Sequence, residues 1–309
     1  MTTKNKKNAT RKPAARKATK PARFLQKGEK AAFTRINAKS ASPVIIVCDH
    51  ASNAMPRAAK NLGLDVTARK MHIAWDPGTA HIGRYLARVL NAPLQLANYS
   101  RLVVDLNRGE DHADCMRDTS DHVKIPGNKG LNAAQRQARL DDIYWPYHNE
   151  ITRQLDAVLA RGKVPLLLSI HSFTPEMDGA HRPWHIGVMW NRQQKLSKQL
   201  VKNLRSDNPA LVIGENKPYS LKGPAGGKNT IERHCESRGL PYLIVEFRQD
   251  LVGGSKAEAE QWAELFLRSL RPILDDAASY ARQPVGKKAA AKKKTAAKTA
   301  LRKPARKRA

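Results

Sequence analysis

The sequence predicts an α/β sandwich, in which helices cover a largely buried sheet. Three observations carry this. Short runs of β-branched residues and leucine recur along the chain, as at 44–47, 166–170 and 243–245. Runs of that length and character read as strands buried on both faces. Helical periods, with apolar residues three and four apart, lie between them. Finally, each of the three runs stops at or just before a side chain that can do chemistry: His50, His171 and Glu246.

Charge divides the chain into three parts. The net charge of +29 over 309 residues is unevenly spread. Residues 1–40 carry 13 Lys/Arg against Glu29 alone, and residues 282–309 carry 12 with no acid, which leaves only +5 for 41–281. The expected organisation is one mildly basic domain over 41–281, long enough for a substantial core. Basic tails at 1–40 and 282–309 are too poor in apolar residues to fold alone. Such polycations bind DNA or RNA phosphates without reading sequence. A nucleic-acid-associated protein with an inactive or differently specific core is therefore the alternative function class. No apolar run approaches the ~20 residues of a membrane span, so no membrane partner is expected. Three cysteines, Cys48, Cys115 and Cys235, form no CxxC pair. That argues for a reducing, cytoplasmic setting.

Taken in order, a strand at 43–48 ends at Asp49 and His50. A loop leads to Trp75-Asp76-Pro77-Gly78 and a helix over 79–91, with Ile82, Leu86, Val89 and Leu90 on one face. Asp76 either caps that helix or points into a site. A short strand covers 94–97, and another is expected within 100–108, with Arg101 before it and Asn107-Arg108 after it. Residues 109–131 read as a long loop over the site. A helix over 132–160 is kinked or split at Pro146. The strand 164–170 ends at His171. The loop 172–185 carries Arg182, either on the pocket wall or at the surface. A strand at 186–190, a helix at 193–206 and a strand at 210–214 follow. A flexible loop over 219–227 precedes a helix bearing His234, a pocket or solvated residue. A strand ends at Glu246–Arg248, and a last helix covers 255–280.

In open α/β sheets, side chains past the carboxyl ends of strands line the ligand crevice. Two imidazoles (His50, His171) and one or two carboxylates (Asp76, Glu246) suit one divalent metal, zinc by donor type, with an open position. A carboxylate outside the ligand shell can take a proton from the water that such a metal acidifies. Arg101 would stabilise a developing oxyanion, and Asn107 with Arg108 would bind a carboxylate. The combination suits hydrolysis of a small amide that carries a carboxylate.

The segments Asp49–Asn53, Trp75–Gly78, Ser100–Arg108, His171–Pro175 and Val245–Asp250 together resemble the N-formylglutamate amidohydrolase family, with matching order and spacing over about 43–272. The resemblance implies a three-layer α/β/α sandwich with a mixed sheet, phosphorylase/hydrolase-like and akin to zinc carboxypeptidases and aspartoacylases. It implies metal-dependent hydrolysis of N-formyl-L-glutamate to formate and glutamate. His171 matches the second histidine ligand and Glu246 the general base. Arg101, Asn107 and Arg108 resemble the substrate-binding residues of aspartoacylases. Asn53 stands where the wider group has an acid after the first histidine. Asp76 is the acid here that would complete the shell.

Overall fold

The computed structural model describes residues 23–221, 229–276 and 281–282. The expected tails lie outside these at 1–22 and 283–309, as does most of the loop expected over 219–227. The chain runs β1 (Phe33–Ile36), β2 (Val44–Cys48), α1 (Thr79–Val89), β3 (Leu94–Ala97), β4 (Thr119–Ser120), β5 (Val123–Lys124), α2 (Ala133–Arg139), α3 (Trp145–Ala160), β6 (Leu166–Phe173), β7 (Glu176–Met177), β8 (Ala180–His181), β9 (Ile186–Met189), α4 (Lys195–Asp207), β10 (Ile213–Glu215), α5 (Thr230–His234), β11 (Tyr242–Arg248), α6 (Gln249–Val252) and α7 (Lys256–Asp275).

Seven strands form one mixed sheet in the order β1-β3-β2-β6-β11-β9-β10. The central four, β3, β2, β6 and β11, are parallel. β1 joins β3 antiparallel, and β9 joins β11 antiparallel. Alternation along each strand sends side chains to two separate cores. Ile45, Val47, Leu167 and Ile244 meet Tyr147, Ile151 and Leu155 of α3 on one face. Ile46, Leu168, Val245 and Phe247 meet Ile82 and Leu86 of α1, Leu200 of α4 and Phe266 of α7 on the other. Both faces of the sheet are thus dry, so its strands read as unbroken apolar runs. The result is the expected three-layer α/β/α sandwich. Among the described residues, no helix is long and apolar enough to cross a membrane.

The structure departs from the sequence reading in three places. Residues 33–36, expected in the amino-terminal tail, form β1 within the sheet. Phe24 and Leu25 pack against the same core, so the folded unit starts before residue 41. The basic composition of 1–40 conceals a few apolar residues that this edge needs. Second, the segment expected as a strand within 100–108 is a pair of turns, closed by Val103 N to Ser100 O (3.0 Å) and Arg108 N to Asp105 O (3.3 Å). Leu102, Val103, Val104 and Leu106 are all buried, but by turn packing rather than by a ladder. Third, the long loop 109–131 contains the β4–β5 hairpin and is pinned from below. Arg139 is buried and donates to the carbonyls of Val103 (2.9 Å) and Gly127 (3.1 Å) and to Asn128 Oδ1 (2.6 Å). Pro146, which lacks an N–H to donate, follows a π-helical stretch, Leu140–Tyr144, that joins α2 to α3.

Gly78 fixes how α1 begins. Its φ is +83°, and a Cβ there would overlap the Val252 carbonyl. Only glycine tolerates both conditions. Gly78→Ala should destabilise the fold by about 2–4 kcal/mol, from left-handed strain plus the clash, as read by urea unfolding. A loss below about 0.5 kcal/mol would show that the turn can relax.

Candidate active site

β2, β6 and β11 lie side by side and point the same way, so their carboxyl ends share one rim. The chain leaves β2 for β3 on one side and reaches β6 on the other, so the crevice between β2 and β6 is a topological switch point. Glu246 and His171 are register partners on β11 and β6, and their side chains emerge on the same face. His50 stands two residues past β2. Asp76 arrives on the turn before α1, its amide donating to the His50 carbonyl (2.9 Å). Its own carbonyl accepts Thr79 Oγ1 (2.7 Å) at the start of the helix. That frees the carboxylate for the site, so the backbone of Asp76 caps and its side chain points inward.

Asp76 Oδ2 lies 3.2 Å from His50 Nδ1 and 3.0 Å from His171 Nδ1. All three residues are at most 3% exposed, and their ligand atoms lie within 4.8 Å of one another. Each ring is braced on its far nitrogen. His50 Nε2 meets Asp105 Oδ1 at 2.9 Å, and His171 Nε2 meets Ser169 Oγ at 3.0 Å and Asp49 Oδ2 at 3.6 Å. Asp105 also accepts Arg101 Nε (3.1 Å) and Nη2 (2.7 Å) and the Asn107 amide (2.9 Å). Asp49 accepts the Tyr147 hydroxyl at 2.7 Å.

Charges so placed displace one another's titrations. Burial alone would raise Asp76, but His50 and His171 outweigh it and hold the carboxylate below its usual range. Burial would likewise raise Asp105, which Arg101 and His50 hold down. Burial would lower His171, yet its bond to Asp76 and the charge of Glu246 push it up to about 9. Glu246 is lifted by burial to about 7, with His171 pulling the other way. Its Oε2 is buried without a hydrogen-bond partner.

This donor set fits a divalent cation. Two imidazole nitrogens and one carboxylate oxygen converge, and both rings carry the far-side partners that orient metal ligands. The orphaned Glu246 oxygen stands at the same cavity as a base outside that set. The cavity, about 510 Å³, is also lined by Arg101, Asn107, Arg108, Arg117, His72 and Tyr219. Asn107 Oδ1 accepts the Thr230 amide at 3.1 Å, and among the described residues its NH₂ has no acceptor. Arg108 Nη1 donates to the Asn107 carbonyl at 2.9 Å, and its Nε is buried and unpartnered.

Seven of the residues singled out from sequence meet at this cavity: His50, Asp76, His171, Glu246, Arg101, Asn107 and Arg108. Two do not. Arg182 sits behind the wall, its guanidinium over the Tyr219 ring at 5.0 Å and donating to the Tyr219 hydroxyl at 3.1 Å. His234 is buried in a separate cavity of about 280 Å³, 2.9 Å from His148 Nδ1, where burial lowers it to about 3. Its short helix packs on α3, which carries it away from the rim. Sequence reasoning missed Asp105, His72, Arg117 and Tyr219. Only Asp105 had a signal, an acid two positions before Asn107 in a segment already under suspicion.

The N-formylglutamate amidohydrolase family profile matches residues 42–252. Among solved structures, a gene product of Agrobacterium tumefaciens is similar at 31% identity, over 81% of this chain and 99% of its own, with a TM-score of 0.76. The N-formylglutamate amidohydrolase of Ralstonia eutropha JMP134 is similar in fold at 18% identity, over 81% and 99%, with a TM-score of 0.57. No curated protein matches the chain.

A cation and a proton compete for His171. Because its folded pKa is raised to about 9, the proton wins increasingly as pH falls. Affinity of the cluster for a divalent cation should therefore rise by up to about tenfold per pH unit between ~6.5 and ~9, then level off. Chelator competition at several pH values reads this, and a flat profile would place the cation elsewhere.

Proposed function

The chain belongs to the N-formylglutamate amidohydrolase family, hydrolases acting on amides, by a match over residues 42–252, and from that membership we propose that it hydrolyses N-formyl-L-glutamate to formate and L-glutamate using zinc held by His50, Asp76 and His171. One observation carries the reading. The buried His50–Asp76–His171 cluster opens onto the cavity that also holds the unpartnered carboxylate of Glu246 and the Asn107–Arg108 pair.

Zinc held by His50, Asp76 and His171 would supply Lewis acidity, acidifying a water and polarising the formyl carbonyl. Glu246 takes the proton of the attacking water and delivers it to the amide nitrogen as the C–N bond breaks. Burial, by raising this carboxyl to about 7, suits it to both halves of the transfer near neutral pH. Arg101, with two nitrogens committed to Asp105, is a fixed cation beside the developing oxyanion. Asn107 Nδ2 and the open edge of Arg108 take the α-carboxylate. Asp105 and Ser169 orient the two imidazoles rather than touching substrate.

The test is formate release from N-formyl-L-glutamate by the zinc-loaded full chain, beside N-acetyl and N-succinyl analogues. Glu246→Gln should lower kcat by about 10²–10⁴ while zinc content stays whole. His171→Ala should lose both zinc and turnover. A zinc-loaded protein that cleaves none of these amides, or a Glu246→Gln variant within about threefold of the parent, would sink the proposal.

A further inference from the structure

We infer that Arg117 is a specificity determinant, binding the second carboxylate of a dicarboxylic amino-acid substrate. The inference rests on the reaction proposed above and assigns a part of the cavity that this reaction leaves unused. Three arginines line the cavity, Arg101, Arg108 and Arg117. Arg101 has two of its nitrogens committed to Asp105 and is assigned to the oxyanion. Arg108 stands beside Asn107, where the α-carboxylate is expected. Arg117 is left over. Among the described residues its one ion pair is with Asp114 at 3.6 Å, beyond hydrogen-bond length, and that carboxylate is 46% exposed. Solvent-screened pairs of this kind contribute little. Burial, together with the like charges of Arg101 and Arg108, outweighs the carboxylates of Asp105 and Asp114 and holds Arg117 below the usual arginine range. The cavity therefore contains a cation whose charge is inadequately met by the protein itself.

The backbone that carries Arg117 is also held in place. The carbonyl of Arg117 accepts Asn128 Nδ2 at 2.7 Å, and Asn128 Oδ1 accepts the buried Arg139 at 2.6 Å. Met116, just before it, is buried, and β4 starts two residues after it. An arginine on a pinned backbone, lining the same cavity as a carboxylate-binding pair, selects ligands with two carboxylates. A ligand that lacks the second one leaves a half-buried cation unpaired, the situation that gives polar sites their discrimination.

Two measurements on the full chain test this. Calorimetry with L-glutamate and L-glutamine reads binding without turnover. Initial rates on N-formyl-L-glutamate and N-formyl-L-glutamine read the reaction. The parent should prefer the glutamate compound in both, by roughly 10- to 100-fold. Arg117→Met should erase that preference, chiefly through KM, while affinity for glutamine stays within about threefold. Arg117→Lys, which keeps the charge but not the fork, should retain part of it. A parent that binds glutamine as well as glutamate overturns the assignment, and so does a preference that survives in Arg117→Met. If Arg117→Met does not fold, an undiminished preference in Arg117→Lys overturns it. Glutamate preference lost in the variant with no formate release from either amide would sink the reaction and keep the assignment. Formate release with an unchanged preference would do the reverse.

Discussion

Asp76 Oδ2 stands about 3 Å from two imidazole nitrogens, sealed from solvent. Buried charge of this kind persists only while every partner stays in place, because an orphaned member costs several kcal/mol. The three partners come from three pieces of chain: the end of β2, the turn before α1 and the end of β6. Their meeting depends on the β2–β6 register and on the glycine turn that aims Asp76 inward. Asp105 and Arg101 extend the same logic one layer out. Each negative charge is matched by an imidazole or a guanidinium, so the network is satisfied as a whole or not at all.

This explains what the sequence made legible. The buried strands were readable because a sheet covered on both faces needs continuous apolar runs. His50, His171 and Glu246 could be placed together because each follows or closes such a run, and parallel neighbours share a rim. The segment 100–108 misled for a physical reason. Leu102, Val103, Val104 and Leu106 are as buried as a strand, and burial alone does not distinguish a ladder from packed turns. Taking them for a strand hid Asp105, whose role depends on the turn that swings it beneath His50. Arg117 was beyond reach because the path of its loop is set by Asn128 and Arg139, residues remote from any recognisable pattern. His234, read as a pocket or solvated residue, lines a second cavity, because a helix's neighbours, unlike its period, are a tertiary fact.

The floor and the roof of the cavity are built differently. The floor is buried and tied to the central strands. The roof is joined by lighter links: Arg182 against Tyr219, and His122 Nε2 at 3.4 Å from Asp178 between the tips of the two small hairpins. Both members of the second pair are largely exposed, and such contacts hold little energy in water.

The first strand carries one further implication. β1 covers Leu94–Ala97, every residue of which is buried. The segment before it supplies the Lys30 and Ala31 carbonyls that accept Tyr99 and Asn98. Four residues long and bearing Arg35, which pairs with Glu150 at 2.8 Å, β1 is itself a poor template for strand addition. Proteolysis that clips the chain behind it would bare an apolar ribbon of unpaired backbone, open to docking against another copy. Residues 30–36 thus cover the edge of β3, a role that the basic composition of 1–40 does not advertise.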